Sequence, residues 1–143
     1  MADERRRFDV SLVTPEGAAF EGEAEMMIVP GAAGEIGVLA RHAPLVATLK
    51  AGSTRVHVRE GEVHEFATGP GFFKVELDRA IALVDDAVQA DAIDADRARK
   101  QLEEAQAALA KVEAGESTED RWQLEQRIAH AENQLRVAGV EPA

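Results

Sequence analysis

Three glycines, Gly31, Gly34 and Gly37, recur at every third position within VPGAAGEIGVLARHAPL, residues 29–45. Closely spaced glycines suit a phosphate-cradling loop, because backbone N–H groups must approach the anion with no Cβ in the way. Such a loop also needs a strand before it and a helix N-terminus after it. Here GVLARHAPL follows, with Pro44 seven residues beyond Gly37 and no helical stripe. The segment therefore reads as an irregular, well-defined loop built for close backbone contact, not as a nucleotide fingerprint.

Other chemistry is sparse. His57 and His64 fall on neighbouring predicted strands, but no third ligand accompanies them, so they read as surface histidines and no metal residue is assigned. Serines and threonines sit in strands, turns and caps, and nothing places a base beside a nucleophile. The carboxylates read as solvated faces rather than a paired acid and base, so no catalytic residue is assigned. There is no cysteine, which removes disulfides and thiolate ligands and fits a reducing compartment. Trp122 is expected beside a helical seam or against a partner.

The 143 residues suffice for one domain with an appendage, and 45% hydrophobic content allows a packed core. A net charge of −11 repels phosphate backbones, so nucleic acid is set aside. The only basic run, Arg5–Arg7, reads as a solvated tail. The N-terminal MADERRRFDV lacks the apolar run of a secretory signal. No stretch approaches the ~18 apolar residues of a membrane span.

Two periods divide the chain. From Phe8 to about residue 86, short apolar segments alternate with Gly, Pro and Asp breaks: FDVSLVT, AAFEG, AEMMIVP, LVATLK, TRVHVRE, EVHEFAT, FFKVEL and AIALVDD. This predicts an antiparallel β-sandwich or barrel over residues 1–88. From Asp91 helix formers take over. Ala98, Leu102, Ala105, Leu109 and Val112 recur at spacings of four and three, as do Leu124, Ile128, Ala131, Leu135 and Ala138. Asp91 is read as the first cap, with Asp94 three residues on. Ser117 is read as the second cap with Asp120 behind it, and Gly115, Gly139 and Pro142 as stops. Residues 91–143 are thus predicted to form an antiparallel two-helix hairpin. Its seam has few large apolar members, worth at most about 1.5–3 kcal/mol each. Ordering each residue costs about 1–2 kcal/mol. Such a hairpin leans on another surface, either as a movable element or as a fixed appendage.

The wording is more specific than the spacing. VTPEG, FEGEAE and VPGAAGEIGVLARHAPLVATLKAG, then GPGFFKVE, ALVDDA and IDADRAR, resemble the epsilon subunit of F-type ATP synthases over nearly the whole chain. The resemblance implies a non-catalytic rotor subunit without a required cofactor. Its β domain would bind the central gamma stalk and sit against the c-subunit ring, coupling proton-driven rotation to ATP synthesis. It would be a peripheral subunit at the cytoplasmic face of the cell membrane. The glycine loop, with Gly31, Gly34 and Gly37, belongs to the end facing the ring. Glu35 and His42 match positions of that contact. Glu35 is either an acidic handle for the ring or plainly solvated, and His42 either packs at the interface or is a structural histidine.

In this family the helices either fold down or extend along gamma toward the catalytic beta and alpha subunits, where they block ATP hydrolysis. Some members bind regulatory ATP through I/L-D-x-x-R-A, matched here by Ile93, Asp94, Arg97 and Ala98. Arg97 would meet phosphate and Asp94 a polar group, or both serve as capping and solubility residues. Departures point to weak inhibition. Val88 stands near where ATP-binding members tend to be acidic. Glu104 and Gln106 dilute the charge of the first helix, and Arg121, Arg127, Arg136 and His130 are opposed by Glu119, Asp120, Glu125 and Glu132. The alternative is a free-standing sandwich-plus-hairpin module for another protein partner.

Overall fold

A computed structural model describes residues 6–140, so Arg5 of the basic run and the Pro142 stop lie outside the described residues. The chain divides after Gln89 into two compact units.

The first unit is built from ten strands among the described residues: β1 (Phe8–Thr14), β2 (Gly17–Ala24), β3 (Met26–Gly31), β4 (Gly34–Leu39), β5 (Leu45–Leu49), β6 (Gly52–Arg59), β7 (Glu62–Thr68), β8 (Gly71–Glu76), β9 (Arg79–Val84) and β10 (Ala87–Gln89). Hydrogen bonding runs in the order β10-β7-β6-β3-β5-β8-β9-β1-β2, with β4 added on β3. The path turns at β3, which bonds β6 through Met26–Ile28 and reaches β5 through Gly31 and Leu49. This lets the two halves of the sheet face each other as a sandwich. Pairing is antiparallel except between β1 and β9, which run parallel from Asp9–Arg79 to Val13–Leu83.

Alternation along the strands supplies the core. Val10 and Leu12 of β1, Met27 and Val29 of β3, Val56 of β6, Phe66 of β7, and Phe73 and Val75 of β8 point inward and are buried. One polar pair shares this interior: the Thr54 and Thr68 hydroxyls lie 2.8 Å apart, each giving the other a buried partner. The turns are short. Glycine has a mechanical role at Gly71, where an added Cβ would fall 1.9 Å from the Leu83 carbonyl oxygen.

The second unit contains α1 (Ala95–Glu113) and α2 (Arg121–Val137), packed on one another. Ala98, Leu102, Ala131 and Leu135 form the buried seam, with Ile128 beside it, as the four–three spacing predicts. Both helices end as expected: Gly115 and Gly139 have φ of +76° and +81°, and each is followed by an N–H that bonds back into the last turn.

The starts differ from the sequence reading. Asp94, not Asp91, caps α1, because its carboxylate accepts from the Arg97 N–H at 3.1 Å. Asp91 lies in a 3-10 turn, Ala90–Ala92. Asp120, not Ser117, caps α2, accepting from the N–H groups of Trp122 and Gln123. Ser117 instead holds the connecting loop through the Glu119 N–H. In both cases the carboxylate nearest the first turn has replaced the earlier cap.

Candidate functional site

The glycine segment is not an irregular loop. Gly34–Leu39 is a full strand, paired with β3 from Met26–Leu39 to Gly31–Gly34, so Ala32 and Ala33 form a two-residue turn. The turn explains two of the glycines. Gly34 has a φ of +145°, and a Cβ on Gly31 would lie 2.5 Å from the Gly34 carbonyl oxygen. Gly37 is mid-strand opposite Ile28, where a Cβ would meet only an ordinary contact. The first α-helix after the hairpin is α1, so no helix N-terminus faces these glycines within the sandwich.

The hairpin tip is exposed at Ala32 and Ala33 and pinned at its base, where the Ala32 N–H donates to the Thr48 carbonyl at 2.9 Å. Beside it lies a shallow depression of about 440 Å³, lined by Gly31–Ile36 with Ala47 and Thr48. Its lining is small and mostly apolar, which suits a protein loop better than a charged metabolite.

Glu35 and His42 lie at opposite ends of β4. The Glu35 carboxylate is paired with the Arg55 guanidinium of β6 at 2.8 Å, so its charge already has a partner within the sandwich. His42 follows Arg41, a non-glycine residue at φ +64° whose N–H donates to the Leu77 carbonyl. The His42 Nδ1–H donates to the Ala43 carbonyl at 2.6 Å, which orients the ring.

Ile93, Asp94, Arg97 and Ala98 belong to the second unit. Asp94 caps α1, Arg97 is exposed, Ile93 is half-buried, and Ala98 is buried in the seam. Their arrangement therefore puts a capping carboxylate and an exposed guanidinium on one helix start, while Ala98 serves packing.

The two strand histidines do not converge. Register pairs His57 with Val63 and His64 with Val56, which puts the imidazoles on opposite sheet faces. His64 is not a simple surface histidine. It packs against Phe20 with ring centroids 5.3 Å apart and bonds Glu62 at 3.0 Å. That hydrogen bond, partly opposed by burial and aided by Arg59, holds the Glu62 carboxyl below the usual glutamate value. Among the described residues, no group of three or more His, Cys, Asp or Glu side chains could hold a metal ion. No described helix is long and apolar enough to cross a membrane.

A surface missed from the sequence lies on the outer face of β5, β8 and β9. Val46 is 70% exposed, Phe72 60% and Leu83 48%. Phe72 stands directly opposite Leu83, which in turn faces Val13 of β1. The signal was present in FFKVEL and AIALVDD: Phe72 precedes the buried Phe73, and Leu83 precedes the buried Val84, so both strand parities are apolar. One parity must then face outward. Trp122 is a second surprise. It is 65% exposed in the first turn of α2 rather than tucked beside the seam.

A sandwich with a bared apolar face and a small-residue hairpin, followed by paired helices, defines a subunit that works by docking. Residues 7–90 match the family described as ATP synthase, delta/epsilon chain, beta-sandwich domain. The chain belongs to the ATP synthase epsilon-chain family, the non-catalytic rotor subunits of the proton-transporting F-type enzyme. The epsilon chain of Persephonella marina is 37% identical over 133 residues, covering 93% of this chain and 97% of that one. That of Rubrobacter xylanophilus is 35% identical over 141 residues, 96% of each chain. That of Shouchella clausii is 41% identical over 101 residues, 71% of this chain and 75% of that one. The fold also matches a chain in the Euglena gracilis mitochondrial ATP synthase OSCP/F1/c-ring structure, with TM-score 0.75, 23% identity, and coverage of 96% of this chain and 85% of that one.

Proposed function

We propose that the outer face of β5, β8 and β9 grips the gamma subunit and that the β3–β4 hairpin rests on the c ring. Rotation of the ring would then pass through the sandwich to the stalk. The carrying observation is the exposed Val46–Phe72–Leu83 surface. Phe72 and Leu83 are directly paired, with Val46 beside Lys74 on the next strand, and exposed apolar side chains grouped on a folded sheet mark a contact site, full burial of each being worth about 1.5–3 kcal/mol. The small residues at the hairpin tip permit close approach of a ring loop, with the Glu35–Arg55 pair as a polar flank. On this reading the subunit is peripheral, at the cytoplasmic face of the membrane.

Asp94 and Arg97 at the start of α1 provide the polar groups for regulatory ATP, with the guanidinium free to meet phosphate. The hairpin would touch the alpha and beta subunits when extended, with weak inhibition because charges along α2 nearly cancel.

Binding of the full chain to cognate gamma tests the docking face. Phe72→Thr with Leu83→Thr, which keeps two good strand formers opposite each other, is expected to weaken affinity at least about tenfold, as for central interface anchors, with a little-changed melting temperature. Unchanged affinity overturns the assignment of that face. Titration calorimetry with ATP, repeated on Arg97→Ala, tests the nucleotide reading; absence of heat with the unaltered chain removes it.

A further inference from the structure

β2 ends the hydrogen-bonded path and, among the described residues, bonds only β1. Of its eight residues only Ala24 is buried and only Phe20 half-buried; the rest are exposed. Its two ends are nonetheless fixed. At the start, the Thr14 hydroxyl donates to the Gly17 carbonyl at 3.1 Å and accepts from the Glu16 N–H at 3.1 Å, which sets the turn. At the finish, the N–H of Glu25, just past Ala24, donates to the His57 carbonyl at 2.8 Å. Between these ends the ladder shifts register after Leu12 and leaves Ala19 unmatched, so the middle of β2 carries slack.

A ring contact reaches across the open seam of the sandwich. Phe20 is paired with the buried Leu12 and points inward from β2; His64 is paired with the buried Val56 and points inward from β7. β10 covers β7 only from Phe66 to Thr68, so His64 lies on the stretch of β7 left open. The two rings meet with centroids 5.3 Å apart and planes tilted by 50°. The imidazole is held from its own side, because Nε2–H donates to Glu62 at 3.0 Å and Glu62 also meets Arg59 at 3.3 Å. Phe20 therefore rests on a platform that does not depend on β2. Such a ring pair shifts an equilibrium by only about two- to tenfold beyond its area, enough to bias a closed state but not to lock it. β1 keeps its place without β2, since its other edge pairs with β9 from Asp9 to Val13.

We propose that the middle of β2, residues 18–23, is a strap that lifts as a unit from an otherwise intact sandwich, with the Phe20–His64 ring pair as its clasp. The open strap bares one backbone edge of β1 and takes Ala18 away from Val13 at the margin of the outer face. The strap follows from the free chain's own geometry; its effect on docking rests on the assignment of that face to gamma.

Amide hydrogen exchange of the full chain tests it, read residue by residue by NMR at one pH where exchange reports the opening equilibrium. The β1-bonded amides of residues 18–23 are expected to exchange at least about tenfold faster than those joining β8 to β9. Phe20→Leu and His64→Gln are each expected to speed the β2 amides by about two- to tenfold, and together no more than either alone. Val75→Ala, a core change on β8, should speed the β8–β9 amides and leave those of β2 as they were. If the β2 amides exchange at the β8–β9 rate, or follow them in Val75→Ala, β2 opens only with the whole sandwich and the strap is overturned. If both clasp variants leave the β2 rates unchanged, the clasp is overturned. Added cognate gamma is expected to slow the β2 amides further. Should gamma bind without slowing them, the effect on docking is overturned, while the docking face itself stands.

Discussion

The Glu35 carboxylate and the Arg55 guanidinium meet at 2.8 Å, tying β4 to β6 over the intervening β3. A partner that uses Glu35 must therefore share it with Arg55 or take both as a unit. The pair is substantially exposed, so its own stabilisation is small. Glu35→Gln is expected to change unfolding free energy by less than about 1 kcal/mol in urea melts, with the difference shrinking at high salt. A larger loss would mean that the pair holds the edge strand in place.

Glycines in the sandwich are not equivalent. Gly71→Ala drives a methyl into the Leu83 carbonyl, and a destabilisation of about 1–3 kcal/mol is expected by chemical denaturation. Gly37→Ala meets no such obstacle and is expected to be neutral or stabilising by up to about 1 kcal/mol. Equal effects at the two positions would contradict the described backbone.

The Glu62 carboxyl is held low by its hydrogen bond from His64, with Arg59 assisting. A carboxyl depressed in the folded state contributes stability above its unfolded value, near pH 4.3, and loses it as pH falls through the folded value. The stability gap between the unaltered chain and Glu62→Gln should therefore be present at neutral pH and close on acidification below about pH 4. A gap independent of pH down to acid unfolding would remove the linkage.

At the start of α1, Asp94 serves the helix whatever else it does. Asp94→Ala is expected to cost about 0.5–2 kcal/mol of hairpin stability, read by helical circular dichroism on heating. Asp94→Asn should retain most of it, since asparagine caps comparably. If ATP binds here, the two variants separate the capping role from the ligand role.

The layout of the chain was legible because its periods are clean. Alternation in FDVSLVT and the four–three spacing of Ala98, Leu102, Ala131 and Leu135 each report one buried face. Reading failed where neighbouring residues compete for one task. Asp91 and Ser117 are acceptable caps, but Asp94 and Asp120 sit closer to the first turn and win. It failed again at Gly34–Leu39, where three glycines in nine residues concealed a strand whose alternation survives only in Ile36 and Val38. The parallel pairing of β1 with β9 leaves no local trace, because it depends on register between distant segments. The exposure of Phe72 and of Trp122, the latter expected beside the seam or against a partner, is not legible for a related reason: hydrophobicity alone cannot say which face a docking protein leaves bare.

That parallel pairing also sets an order of events during synthesis. β1 emerges first, yet the strand that flanks it on the far side, β9, is among the last pieces of the sandwich to leave the ribosome. Until Arg79–Val84 arrives, one edge of β1 has no strand to bond, its other neighbour in the sheet being β2. The nascent chain thus carries an open backbone edge on β1 until β9 is made, and closure is a late, non-local step. The sandwich is therefore complete only once the chain has been made through Val84.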